Sequence, residues 1–124
     1  MFIAEDSAIM RERLVALLAE FGDRLEVVGQ TGNATEATQA ICRLKPDAVI
    51  LDIQLRDGSG VEVLTHIKRH TPAPVVMMLT NYPYPEYRRS CTAAGADYFL
   101  DKSSEFEKVR EIFEAMLRPR QEVN

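Results

Sequence analysis

The sequence predicts an α/β protein, a doubly wound five-stranded parallel sheet with helices on both faces. Three observations carry that expectation. Val49-Ile50-Leu51 is an apolar run too short for a helix and without the alternation of a half-exposed strand, as in a strand buried on both faces. Similar runs alternate along the chain with stretches of helical periodicity, joined by short connections, the pattern of right-handed crossovers in a parallel sheet. The central run stops on a carboxylate, Asp52, where open α/β sheets place their ligand crevice. On this stretch alone, Asp52 could equally be a turn residue.

Taken in order, Phe2-Ile3-Ala4 reads as the first strand, ending on Glu5 and Asp6. Ser7 caps a helix whose apolar residues Met10, Leu14, Leu17, Leu18 and Phe21 keep helical spacing until Gly22 stops it. Leu25-Glu26-Val27-Val28-Gly29 reads as the second strand. Asn33 with Glu36 is a capping signature for a helix with the stripe Ala37, Ala40, Ile41 and Leu44, closed before Pro46. After the Asp52 strand and an Asp57–Gly60 loop, Val61, Leu64 and Ile67 mark the third helix, closed by Thr71-Pro72. Pro74 to Thr80 is the fourth strand, with Met77 and Met78 in the core. The next helix starts near Pro85, where proline is tolerated, and ends at Gly95. Tyr98-Phe99-Leu100 is the fifth strand. Ser103 and Ser104 are candidate caps, with Glu107 completing a box to Ser104, for a last helix carrying Phe106, Val109, Phe113, Met116 and Leu117. One domain over residues 1–118 is expected, with 119–124 a frayed tail.

Composition narrows the functions. The chain has 124 residues, 46% hydrophobic and 27% charged, with a net charge of −4 and no basic stripe, which argues against direct nucleic-acid binding. A chain of this size buries roughly two thirds of its unfolded surface, enough for a core without metal or disulfide staples. Cys42 and Cys91 fall within helical patterns and are expected to be reduced, in the core or half-buried. No apolar run approaches the ~18 residues of a membrane span, and no secretory pattern opens the chain, so a cytoplasmic location is expected.

The strand ends gather the chemistry. Glu5-Asp6 follow the first strand, Asp52 the third, Thr80 the fourth and Lys102 the fifth, and in a parallel sheet these ends share one edge. Carboxylates held close raise each other's proton affinity and need compensation. A hard divalent cation together with the Lys102 ammonium supplies it, and Mg²⁺ suits one or two carboxylates, a carbonyl and waters.

With Glu5-Asp6-Ser7, Asp52 and Gly60 eight residues on, Leu79-Thr80, and Gly95-Ala96-Asp97-Tyr98-Phe99 leading to Lys102, the chain resembles the receiver domain of two-component response regulators from Phe2 to about Leu117. The resemblance implies the flavodoxin-like (βα)5 receiver fold. It makes Asp52 the phosphoacceptor, with Mg²⁺ (Mn²⁺ as a substitute) bound by Asp6, Asp52 and the backbone carbonyl of Gln54, and Glu5 in the outer shell. Thr80 and Lys102 would hold phosphoryl oxygens, and Thr80 and Phe99 would form the switch. Gln54 and Tyr82 fall where the family flanks the path of the hydrolytic water. The implied role is a phosphorylation-activated signalling switch and not an enzyme in its own right, apart from self-phosphorylation from small donors and self-dephosphorylation. Its partners would be a sensor histidine kinase or phosphotransfer protein, and a downstream protein read through the face of the fourth helix, fifth strand and last helix. A homodimer formed on activation is left open, and a stand-alone receiver is expected.

This sequence departs from the family in places: Glu5 leads the acidic pair, Arg56 stands where proline often does, Ser103 follows Lys102, and Phe99 lacks a hydroxyl. The alternative is a phosphorylation-independent interaction module with the same fold. A haloacid-dehalogenase-type hydrolase would want an acid where Gln54 stands, and an FMN carrier would want a phosphate loop after the first strand. His66 and His70 lie four apart on the third helix, but no Cys or acid joins them at suitable spacing, so a solvated face is expected. The pairs Arg11 with Arg13 and Arg88 with Arg89 are of the kind found on exposed faces. Arg88, Arg89, Tyr82, Tyr84 and Tyr87 cluster near the fourth helix as a candidate partner surface.

Overall fold

The computed structural model describes residues 1–118; the expected frayed tail, 119–124, lies outside the described residues. In chain order the main elements are β1 (Phe2–Ala4), α1 (Ala8–Ala19), β2 (Gly29–Thr31), α2 (Ala34–Leu44), β3 (Ala48–Leu51), α3 (Gly60–Ile67), β4 (Val75–Thr80), α4 (Pro85–Ala93), β5 (Tyr98–Asp101) and α5 (Lys108–Leu117). The strands form one sheet in the order β2-β1-β3-β4-β5, with every pairing parallel. Strand order reverses beside β1 and β3, which makes the carboxyl ends of these two strands the switch point where such sheets open a crevice.

Alternation along the strands divides the core in two. Phe2, Ala4, Val49, Leu51, Val76 and Met78 face Ala37 and Ile41 of α2, Leu64 of α3 and Cys91 of α4. Ile3, Ile50, Met77 and Leu79 face Leu14 and Leu18 of α1 and Val109 and Phe113 of α5. The central strands β1, β3 and β4 are apolar on both faces because helices cover both, whereas the edge strand β2, Gly29-Gln30-Thr31, is not.

Local signals set most helix ends. Ser7 Oγ accepts from Met10 N at 3.2 Å and Asn33 Oδ1 from Glu36 N at 2.9 Å, each satisfying an orphan amide of a first turn. The Glu36 carboxylate accepts from Thr31 Oγ1 at 2.7 Å. Pro85 occupies the first turn of α4, and Gly95 beyond its end adopts φ +101°, a conformation that favours glycine.

Two expectations need correction. The second strand does not span Leu25–Gly29: the ladder begins at Gly29, opposite Phe2, and runs to Thr31. Leu25 and Val27 pack half-buried against the second core, and the backbone around Val27 bonds to Met1, whose N donates to Glu26 O at 3.1 Å and whose O accepts from Val28 N at 2.8 Å. The last helix does not start from a Ser104–Glu107 box. Asp101 Oδ1 accepts from Ser103 N at 2.9 Å and caps a single helical turn, Lys102–Glu105, before α5 begins separately at Lys108 with no side-chain cap bond. A carboxylate one step earlier has taken the capping position from the serines. A small antiparallel hairpin, Gln54–Leu55 with Gly58–Ser59, also forms between β3 and α3.

Candidate functional site

Strand ends and turns place the polar groups. Glu5, Asp52, Thr80 and Lys102 are buried polar or charged residues, each under 10% exposed. Lys102 enters from the turn after β5, and its Nζ donates to Asp52 Oδ2 at 2.8 Å. The same ammonium pairs closely with Glu5 Oε1, while Glu5 Oε2 accepts from Ser7 N at 2.8 Å. Asp52 Oδ1 accepts from Ile53 N at 2.7 Å, and Asp52 N donates to Ala4 O at 2.9 Å, continuing the β1–β3 ladder. The carboxylate is thus oriented from both sides.

Sharing one ammonium between two carboxylates leaves a surplus of negative charge. Burial, with Asp52 adding to it, pushes the Glu5 carboxyl above its ordinary value of 4.5 although Lys102 and the Ser7 amide pull it down. Burial pulls on Lys102 in the opposite sense, but its hydrogen bonds to Asp52 and Glu5 outweigh this and hold it above 10.5.

Asp6 stands apart from this cluster. Its side chain is half exposed and meets Arg56 Nε at 3.4 Å, a weak surface pair. Gln54 is exposed in the hairpin. Thr80 is fully buried, its hydroxyl accepting from Tyr82 N at 3.0 Å, and Tyr82 itself is exposed. Phe99 is buried, with the Arg88 guanidinium over its ring at 4.7 Å.

The donor set fits Mg²⁺. It consists of hard oxygens only, and the buried pair Glu5 and Asp52 shares the single Lys102 ammonium, while the Arg56 and Arg11 guanidiniums meet the Asp6 side chain and the backbone of the β1 loop at the outer side of the site.

Several contributors are not evident in the sequence. Arg11 is half-buried and not on an exposed face: its guanidinium donates to Glu5 O at 2.6 Å and Asp6 O at 3.1 Å, bracing the loop after β1. Asp57 reaches α2, where Oδ1 accepts from Ala34 N at 2.6 Å and Oδ2 from Thr35 Oγ1 at 2.7 Å. Gly60 N donates to Ile53 O at 2.6 Å, and a Cβ at Gly60 would lie 1.8 Å from Asp52 O, so only glycine lets α3 start against the end of β3. The Gly60 spacing is the signal that could be read; nothing in the sequence marks the reach of Asp57 or Arg11.

Fold and site define a doubly wound α/β domain with a buried strand-end aspartate held by one lysine. The model for the response regulator receiver domain matches residues 1–114. A response regulatory protein of Vibrio cholerae is 35% identical over 94% of this chain and 47% of its own length. A protein-glutamate methylesterase/protein-glutamine glutaminase of Agrobacterium fabrum is 45% identical over 61% of this chain and 21% of its own. Among solved structures, a LuxR-family DNA-binding response regulator of Staphylococcus aureus superposes with a TM-score of 0.84 at 28% identity, over 94% of this chain and 97% of that one. The response regulator domain of Thermotoga maritima CheB gives 0.80 at 27%, over 94% and 91%. The chain belongs to the response regulator receiver domains of two-component systems. It spans about half the length of the Vibrio relative and about a fifth of the methylesterase. Receiver domains interact with histidine kinases and downstream effectors, and the family is generally Mg²⁺-dependent.

Proposed function

We propose that this domain is a phosphorylation-activated switch whose phosphoacceptor is Asp52, fed by a sensor histidine kinase or phosphotransfer protein. The observation that carries the reading is the buried Asp52 carboxylate with Lys102 Nζ 2.8 Å from Oδ2, at a sheet edge with surplus negative charge. Asp6, Asp52 and the Gln54 carbonyl would hold Mg²⁺, with Glu5 behind them. When bound, Mg²⁺ supplies positive charge to the phosphoryl oxygens.

The residues of the chain do the positioning. Ile53 N and Lys102 aim the Asp52 carboxylate at the phosphorus of the donor's phosphohistidine; as the new P–O bond forms the P–N bond breaks, the donor imidazole leaves, and an acyl phosphate stands on Asp52. Lys102 then pairs with a phosphoryl oxygen, stabilising the charge that develops in transfer. The Thr80 hydroxyl exchanges its contact with Tyr82 N for another phosphoryl oxygen, and Phe99 repacks behind it. The face of α4, β5 and α5 is the surface a downstream partner reads, with self-association one possible consequence. No helix among the described residues is long and apolar enough to cross a membrane, and we place the domain, residues 1–118, in the cytoplasm.

Acetyl phosphate or beryllofluoride with Mg²⁺ should give one adduct on the wild type and none on Asp52→Asn. A wild type without an Mg²⁺-dependent adduct overturns the switch; equal labelling of Asp52→Asn overturns the site.

A further inference from the structure

The opposite edge of the sheet carries a second cluster, built from parts that the receiver chemistry does not use. Cys42 on the last turns of α2 meets His66, near the end of α3, and His70, which lies in the turn just beyond that helix and not on it as the spacing suggests. Cys42 Sγ and His70 Nε2 are 3.4 Å apart, and one ligand atom from each of the three residues lies within 4.8 Å of the others. The two imidazoles are tilted by 55° with centroids 5.5 Å apart. Cys42 is half-buried and both histidines are exposed, so an ion reaches them without opening the core. Cys42 and His70 also line a cavity of about 270 Å³ that Pro46, Asp47 and Pro74 close at the amino ends of β3 and β4.

We infer that Cys42, His66 and His70 form a three-ligand site for a borderline transition-metal ion of the Zn²⁺ type, with water in the fourth position. One thiolate and two imidazoles are the donor set that selects such ions over Mg²⁺. In a tetrahedral site with Zn–S of about 2.3 Å and Zn–N of about 2.0–2.1 Å, neighbouring ligand atoms stand about 3.4–3.6 Å apart. The Cys42–His70 pair is already at that separation, and the third ligand closes in by no more than about 1.4 Å, within reach of an exposed imidazole. The Lys68 ammonium between the histidines in sequence does not oppose a cation there, because it donates to Asp97 Oδ2 at 2.8 Å and Pro74 O at 2.6 Å. The domain thus separates cations by chemistry, a hard ion among oxygens at the carboxyl edge and a softer one between α2 and α3 at the amino edge. Occupancy ties α2 to α3, and α3 starts at Gly60 directly behind Asp52.

The test is Co²⁺ titration of the metal-free, reduced full chain in excess Mg²⁺, followed by Zn²⁺ competition. The expected result is one Co²⁺ per chain, a thiolate-to-cobalt charge-transfer band, visible bands of tetrahedral intensity, and full displacement by Zn²⁺. Cys42→Ser should abolish the charge-transfer band. Cys42→Ser, His66→Ala and His70→Ala should each weaken binding by more than about a hundredfold, beyond the 10–100-fold that outer-shell partners alone carry. Cys91→Ser, buried on α4 and outside the three-residue group, should leave the band unchanged, with circular dichroism confirming the fold of every variant. Three outcomes overturn the inference: binding only at millimolar metal, an affinity unchanged by Cys42→Ser (a bare histidine pair), or one ion shared by two chains. An affinity unchanged by His66→Ala overturns the three-ligand set.

Discussion

Lys102 holds two buried carboxylates at once, and that sharing decides what each nearby substitution does. Removing the ammonium in Lys102→Ala strands Asp52 and Glu5 in a site where both are under 10% exposed. Breaking a buried charge network in this way costs about 3–5 kcal/mol, because the orphaned charge outweighs any relief of crowding. Urea melts of Lys102→Ala at neutral pH should show a loss of that order, and a loss below ~1 kcal/mol would mean that water already screens the cluster. Asp6 and Glu5 differ in the opposite way. Both Glu5 oxygens are engaged, one by Lys102 and one by Ser7 N, whereas Asp6 offers a solvent-facing carboxylate with one long contact to Arg56. Asp6→Ala should therefore weaken Mg²⁺ binding, followed by calorimetric titration, far more than Glu5→Gln; the reverse order would exchange their inner and outer roles.

At the scale of elements, the hairpin after β3 contains Gln54, whose carbonyl is proposed to face Mg²⁺, and Asp57 pins that hairpin to the first turn of α2. The helix N-terminus provides unpaired amides and a favourable dipole for the carboxylate. The hydrogen bond from the Thr35 hydroxyl, joined by those from the Ala34 and Thr35 amides, outweighs the opposing cost of desolvation and holds Asp57 below its ordinary 3.8. A depressed carboxyl stabilises the fold fully above the unfolded value and loses that contribution as pH falls through the lower folded value. Wild type should therefore be more stable than Asp57→Ala at pH 7, and the gap in denaturation midpoints should narrow as pH drops below about 3.8. A gap independent of pH across that range would leave Asp57 as a packing residue only.

At the scale of the molecule, the proposed signal travels from the carboxyl edge to one side of the sheet. Thr80 and Phe99 sit on neighbouring strands, β4 and β5, in register with Asp101 and Met78 respectively. Arg88 of α4 covers the Phe99 ring, so repacking of that ring must be felt at the α4 surface. Tyr82, Tyr84 and Tyr87 line the approach to this helix, with centroids of successive rings 6.3 and 6.0 Å apart. Beryllofluoride should change amide exchange on α4, β5 and α5; changes confined to α1 and α2 would remove this output face. Tyr82 is bound through its backbone N to the Thr80 hydroxyl and is bulky, so, on the proposal that it gates the hydrolytic water, Tyr82→Ala should speed loss of the phosphoryl group several-fold. An unchanged or slower rate would show that Tyr82 does not gate water.

The chain order of apolar runs and strand-end polar residues determined the sheet, its parallel sense and the acidic edge, because burial on both faces and abrupt termination are local properties of each strand. Where local signals competed, only tertiary structure decided. Leu25–Gly29 looked like a strand, yet the edge ladder formed further on, at Gly29–Thr31, because these are the residues that stand opposite Phe2, Ile3 and Ala4, and before them only Met1 of β1's side offers backbone bonds. Ser103 and Ser104 looked like caps, yet Asp101 took the position. The placement of Lys102 between Glu5 and Asp52, rather than beside Asp6, depends on how deeply each strand end is covered, which spacing alone does not encode. His66 and His70 lacked a third ligand in the sequence because Cys42 belongs to another helix, and only the packing of α2 on α3 brings its sulfur to them. Periodicity reports which face of an element is buried; it carries no record of which residue from a distant element will meet it there.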